Sequence, residues 1–171
     1  RERLWKVRAK QVVLATGDHE RPLVFANNDL PGIMLASAIS TYIRRYAVLP
    51  AGRAVVFTNN DAGYDAALAL MNAGASVAVV DARADPTGGR SALARKAGIE
   101  ILPAHVVTEA RGRKRVRTLV VQPLGTDGEL SGSPRLLPCD LLGVSGGFSP
   151  VIHLHCQAGC KPAWDDRLAA F

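Results

Sequence analysis

Arg53–Gly74 reads RAVVFTNNDAGYDAALALMNAG, and its interpretation decides the fold. The uninterrupted apolar run Ala54–Thr58 fits a strand buried on both faces. An Asn-Asn-Asp turn follows. Helical spacing then extends over Asp61–Ala73, with Gly74 as the stop. Strand, tight turn and helix in this order open a dinucleotide-binding unit, whose turn ordinarily carries three glycines: one for the bend, one for close backbone approach to the pyrophosphate, one for helix–strand packing. Here Thr58, Asn60 and Gly63 hold those places. Gly63 keeps the packing role, and Thr58 requires a slightly wider bend. Asn60 projects a side chain where a phosphate would meet bare backbone. Asn tolerates left-handed dihedrals, so the turn forms without glycine. Asn59, Asn60 or Asp61 can cap the helix, and an Asp61 carboxylate on the turn amides would displace and repel a phosphate. The turn therefore reads as capped from within, a nucleotide site that has lost its ligand. The alternative is a lobe that binds NAD(P) itself through Asn60, Gly63 and Asp81. Asp81 ends the next strand, twenty residues after Asp61, where an acid bonds an adenosine ribose. That carboxylate would favour NAD, and Arg83 weakens the preference.

Outward from this unit the rhythm continues. Ser76–Asp81 predicts a second buried strand, Arg90–Ala97 a short helix stopped by Gly98, and Ile99–Leu102 a third strand. Such a βαβαβ run implies a parallel sheet with right-handed crossovers, expected to carry helices on both faces. Ala104–Val121 then alternates around Arg111-Gly112 and predicts an antiparallel hairpin or three-stranded layer. The fold class is thus α/β: a three-layer, mainly parallel Rossmann-like sheet with an antiparallel hairpin layer.

Upstream, Leu4–Leu14 predicts extended chain. Leu4, Trp5 and Val7 face inward in its first part, and Gln11–Ala15 forms a short buried strand leaving through Thr16-Gly17. DHERPLVFANNDLPGI reads as loop, and MLASAISTYIRRYAV as a helix with Arg44 and Arg45 in its last turn. Downstream, LLPCDLLGVSGG echoes the first strand, with Ser145-Gly146-Gly147 as its exit. Both echoing strands read as having their sheet partners elsewhere, as in an interrupted domain. Residues 1–50 and 138–171 are then flanking pieces of a first dinucleotide-binding domain, and residues 51–137 an inserted NAD(P)-binding-like domain.

Composition excludes several classes. The chain has 171 residues, 48% hydrophobic and 21% charged. No run approaches the roughly 18 apolar residues of a membrane span. Three cysteines are too few to staple a chain of this length, which makes a reducing cytoplasm the expected compartment. The net charge of +6 gathers in short tracts. The densest, Arg111–Arg117, lacks interleaved aromatics for base stacking, so nucleic acid is not the expected partner. It reads as a solvated tip or, in a third functional reading, as an interaction module that meets an acidic partner. His153, His155, Cys156 and Cys160 lack the paired spacing of a structural zinc site. Asp18, His19 and Glu20 read as a loop salt-bridged with Arg21. No nucleophile elbow, phosphate-loop lysine or helix-spaced carboxylate pair is present, so no catalytic residue and no metal ligand is assigned.

Two long segments carry a family resemblance: KQVVLATGDHERPLVFANNDLPGIMLASAISTYIRRYAVLPAGRAVVFTNND and CDLLGVSGGFSPVIHLHCQAG. Together they resemble the alpha subunit of heterotetrameric sarcosine oxidase and related amine and opine dehydrogenase subunits, over nearly the whole chain. The resemblance implies an internal fragment of a larger subunit. It implies NAD bound in the full subunit, with Ala15, Thr16, Gly17, Ser145, Gly146 and Gly147 as backbone approaching that dinucleotide. It further implies FAD and FMN in the complex, a beta subunit and other subunits as partners beside the remaining domains, and no cofactor in this lobe. The implied reaction is oxidative demethylation of sarcosine to glycine, with formaldehyde passed to tetrahydrofolate and peroxide formed.

Overall fold

The computed structural model describes residues 2–171. In chain order the elements are β1 (Asp18–Glu20), β2 (Ile33–Leu35), α1 (Ala36–Tyr46), β3 (Arg53–Thr58), α2 (Gly63–Asn72), β4 (Ser76–Asp81) and α3 (Gly89–Lys96). There follow β5 (Glu100–Pro103), β6 (His105–Arg111), β7 (Thr118–Pro123), β8 (Arg135–Pro138), β9 (Leu141–Ser145), β10 (Phe148–Pro150) and α4 (His153–Gln157). The chain divides into a large unit, Glu20–Gly147, and a small one that joins the residues up to His19 with Phe148–Phe171.

In the large unit β2-β9-β3-β4-β5 form a parallel sheet, and β6-β7-β8 an antiparallel one. Alternate residues of a strand face opposite sides. Ala54, Val56, Val79 and Leu141 turn toward Ile39 of α1, Tyr64, Ala67 and Leu70 of α2, and Ala94 of α3. Val55, Phe57, Val80, Leu142 and Val144 turn the other way, onto Phe25 and onto Val107, Leu119 and Val121 of the antiparallel sheet. The layers are helices, parallel sheet, antiparallel sheet.

Helices on both faces, the sequence expectation, do not occur: all three helices of this unit pack on one side. Right-handed crossovers explain it. The connections β2→β3, β3→β4 and β4→β5 all advance in the same direction across the sheet, so each delivers its helix to the same face. The second face is free for the apolar side of β6–β8.

Other expectations also change. LLPCDLLGVSGG is two strands in two sheets: β8 completes the antiparallel layer, and after Cys139-Asp140 the chain enters the parallel sheet as β9. There β9 lies between β2 and β3, with Leu142 beside both Ile33 and Val55. Its partners are therefore local to this unit. The strands β2 and β9 belong to the same sheet as β3–β5, within the compact unit Glu20–Gly147. The supposed loop before α1 contains β1 and β2, strands of three residues each. Leu4–Leu14 forms no strand; Leu4 and Val13 are each 90% exposed, and Trp5 and Val7 are exposed as well. An apolar segment becomes a strand only where a neighbour supplies the ladder, and no described strand runs beside it.

Gly143 of β9 lies beneath α1, where a Cβ would come 2.7 Å from Ile39 Cδ1. Gly143→Ala should cost about 1–3 kcal/mol through overpacking. Ile39→Val removes the opposing methyl and should relieve it. A double-mutant cycle by urea unfolding is expected to show coupling of at least about 0.5 kcal/mol; strict additivity would contradict the contact.

Candidate functional site

Ser145, Thr58 and Asp81 end the adjacent strands β9, β3 and β4, in register with one another. All three are fully buried, on the face covered by the helices. Thr58 leads directly into the turn before α2, at the carboxyl ends of parallel strands where open α/β sheets take their ligands. Two hydrogen-bonded groups fill this corner.

The first is built on Asn60. Thr58 Oγ1 donates to the Asn60 carbonyl at 2.9 Å and accepts from the Asn60 N–H at 3.1 Å. The Asn60 amide nitrogen donates to the Ser145 carbonyl at 3.0 Å and to Ser145 Oγ at 3.2 Å, while Asn60 Oδ1 accepts the Ala62 N–H at 2.9 Å. The Asn59 N–H reaches the Ser145 carbonyl at 3.3 Å. Asn60 thus stitches β9 to the turn that leads into α2. Gly63 has no room for a side chain, since a Cβ would lie 2.6 Å from Thr58 Cβ and Oγ1. That spacing presses α2 onto β3.

The second is built on Asp81. Its Oδ2 accepts from Tyr64 Oη at 2.7 Å and from Arg83 Nη2 at 2.8 Å. Its Oδ1 accepts the Arg83 N–H at 2.9 Å and Arg83 Nε at 3.1 Å. Arg83 Nη1 reaches on to Asp61 Oδ1 at 2.9 Å. A carboxylate taken out of water requires such compensation. Burial, followed by the bond to Asp81, drives the Tyr64 phenol well above its ordinary range. The bond to Asp81 likewise raises Arg83. Of the three candidate caps Asn59, Asn60 and Asp61, Asp61 is not on the turn amides; its carboxylate faces Arg83 and the backbone of Gly88, where any side chain would collide with it. The Arg83 cation outcompetes neutral N–H donors for that charge.

The arrangement tests whether a dinucleotide fits. A pyrophosphate on this turn needs unoccupied amides, and those of Asn59, Asn60 and Ala62 are already bonded within the protein. A ribose needs an accepting carboxylate edge, and both Asp81 oxygens are taken twice. The residues present do not fit the group.

The structure brings together Asn60, Gly63, Ser145 and Asp81 from the sequence-predicted residues. Tyr64 was missed, although a phenol directly after the packing glycine was its signal. Gly146 and Gly147 leave β9 against the chain ahead of β2: Gly146 N–H donates to the Arg21 carbonyl at 2.7 Å, and Arg21 N–H to the Gly147 carbonyl at 2.8 Å. In the small unit, Thr16 Oγ1 donates to the Val151 carbonyl at 2.6 Å and the Val151 N–H to the Gly17 carbonyl at 3.0 Å, beside Ala15. Glu20 accepts the Ser37 N–H at 2.8 Å at the start of α1, a different role from the loop ion pair expected of it. His153, His155 and Cys156 ride exposed on α4, and Cys160 follows it. Among the described residues no His, Cys, Asp and Glu group is arranged to hold a metal, and no helix is long and apolar enough to cross a membrane.

A family model described as pyridine nucleotide-disulphide oxidoreductase matches residues 2–169. The chain belongs to that family. It is homologous to sarcosine oxidase subunit alpha from Corynebacterium sp. (strain P-1), 46% identical over 173 aligned residues, and to that from strain U-96, at 43%. Each alignment takes in 100% of this chain and 18% of the relative, so the chain spans about a fifth of the length of these relatives. Thioredoxin reductase from T. acidophilum shares the fold, with a TM-score of 0.68 at 19% identity, over 89% of this chain and 48% of that one. The α/β class with its antiparallel layer is thereby shared with an oxidoreductase family.

Tyr64→Phe leaves Asp81 short of one donor and should destabilise by about 1–3 kcal/mol at neutral pH. The pH dependence follows from proton release. Burial holds the Tyr64 phenol up and pushes the Cys139 thiol up to about 11. The unfolded chain releases both protons first, so stability is intact below about pH 9 and falls as pH rises beyond it. Thermal melts from pH 8 to 11 should show this fall, and Tyr64→Phe should make it shallower. An unchanged alkaline slope would contradict the assignment.

Proposed function

We propose that this chain is the dinucleotide-domain segment of an alpha subunit in a sarcosine-oxidase-like complex, and that its large unit is architectural. The observation that carries the architectural reading is the internally satisfied corner at Thr58–Gly63 and Asp81. Ser145, Thr58 and Asn60 accept the N–H groups of Asn59, Asn60 and Ala62 in the turn, and Tyr64 and Arg83 saturate the acid a ribose would use. The unit thus completes its own polar end without a nucleotide. In the full subunit NAD binds elsewhere, with Ala15-Thr16-Gly17 and Ser145-Gly146-Gly147 as the backbone nearest it, and FAD and FMN serve the complex. The reaction proposed for the complex takes sarcosine, dioxygen and tetrahydrofolate to glycine, hydrogen peroxide and methylenetetrahydrofolate. The homology to sarcosine oxidase alpha subunits supports this substrate class. No residue of this chain is assigned to the chemistry.

A second reading, a large unit that binds NAD(P) for itself in a flavin-dependent amine or opine dehydrogenase, draws on the placement of Asp81 at the end of β4 and on the pyridine nucleotide family match. Titration separates the two. In the full-length protein, Asn60→Ala and Asp81→Asn should leave the affinity for NAD within about twofold, because neither residue touches it. A loss of tenfold or more, about 1.4 kcal/mol, would transfer the binding site to this unit.

A further inference from the structure

The opposite end of the parallel sheet carries a second concentration of charge. Asp140 immediately precedes β9, and its N–H donates to the Arg53 carbonyl at 2.9 Å. Three guanidinium groups converge on its Oδ1: Arg117 at 3.1 Å, and Arg53 and Arg115 each at 3.8 Å. Arg115 and Arg117, with Arg113 and Lys114, also line a hollow of about 340 Å³. Three guanidinium groups therefore share one carboxylate, and Arg113 and Lys114 add two more cations beside Arg115 and Arg117.

This is not a loose tip. Val116, in the middle of the run, is fully buried, and its N–H donates to the Pro31 carbonyl at 2.9 Å. The Cys139 N–H reaches the Arg117 carbonyl at 3.0 Å. Gly112 packs so closely on the Arg115 backbone that a side chain there would collide with it. The turn between β6 and β7 is thus held against the start of β9, while all five cations remain exposed. Pre-ordered cations lower the entropic cost of meeting an anion.

From this geometry we propose that the Arg113–Arg117 turn, with Arg53, is the docking surface for a carboxylate-rich segment of a partner subunit. Guanidinium groups that each direct a single N–H group to one carboxylate oxygen keep further donors with which to take additional carboxylates. Nucleic acid fits less well, because no aromatic side chain lies in the turn to stack a base. The proposal uses the subunit reading only in requiring that a partner exist. It is independent of where NAD binds, since these residues lie at the other end of the strands from Asn60 and Asp81.

The test uses the full-length protein purified with its natural partners. Arg113→Glu/Lys114→Glu reverses two exposed side chains, so the melting temperature should not change. Subunit dissociation, followed by sedimentation, should rise at least about tenfold at low salt, with the difference shrinking as salt screens it. Arg113→Lys/Lys114→Arg should assemble normally, and reversal of Arg44 on α1 should have less effect. Carbodiimide coupling, which joins an amine to a carboxylate directly, should link Lys114 to an Asp or Glu of a partner subunit. A complex that forms with unchanged affinity and without that link overturns this proposal alone. Retention of RNA by the native protein, lost on charge reversal while assembly persists, overturns it in favour of nucleic acid. A protein that never assembles overturns this proposal and the subunit reading together.

Discussion

One buried carboxylate organises the carboxyl ends of the parallel strands in this fold. Asp81 has no exposed surface, and an ionised acid in that position is tolerable only while its lone pairs are occupied. Tyr64 and Arg83 occupy them, and each constrains a different part of the chain. Tyr64 belongs to the first turn of α2, so its bond to Asp81 fixes how that helix meets β4. Arg83 begins the loop after β4 and extends to Asp61, in the turn before α2. Removing a donor from this buried carboxylate costs about 1–3 kcal/mol, because an acceptor is left unsatisfied away from water. The turn is therefore held by the same residues that close it to a ligand.

The parts of this arrangement that depend on neighbouring residues could be read from the sequence. Ala54–Thr58 and Ser76–Asp81 announce themselves by continuous apolar runs, and Gly63 by its place in the turn. Asn60 was identifiable as a turn residue that carries a side chain where the dinucleotide motif ordinarily has glycine. Its binding to Ser145, 85 residues away, was not, because that contact depends on β9 entering the sheet beside β3. The same long-range step hid β2: three residues show no periodicity, and they become a strand only because β9 lies alongside. The sequence leaves Asn59, Asn60 and Asp61 as alternatives for the turn amides, and the direction of Asp61 is hidden for a related reason. Local rules send such a carboxylate to helix amides, and Arg83, 22 residues later, offers a stronger partner.

The placement of the helices shows a second limit of local pattern. Nothing in α1, α2 or α3 records which face of the sheet it will cover. Strand order decides that, and strand order here includes an insertion from the far end of the unit. The antiparallel layer shows the consequence. Its alternating strands expose one apolar face, and the face of the parallel sheet left without helices is where it is buried. Phe25 and Phe57 meet edge to face across that boundary, with ring centres 6.2 Å apart.

The two ends of the parallel sheet differ in how their charge is settled. At the carboxyl ends, Asp61, Asp81 and Arg83 form a closed set whose members are satisfied within the protein. A domain built this way does not depend on a bound nucleotide for that part of its stability, because no mass-action term from a ligand is needed to fill the corner. At the amino ends, Asp140 is surrounded by more cations than it can neutralise, and three guanidiniums sharing one oxygen repel one another. Water screens that repulsion, and an opposing set of carboxylates would convert it to attraction. The closed corner and the unbalanced one are both consistent with the architectural role proposed for this unit.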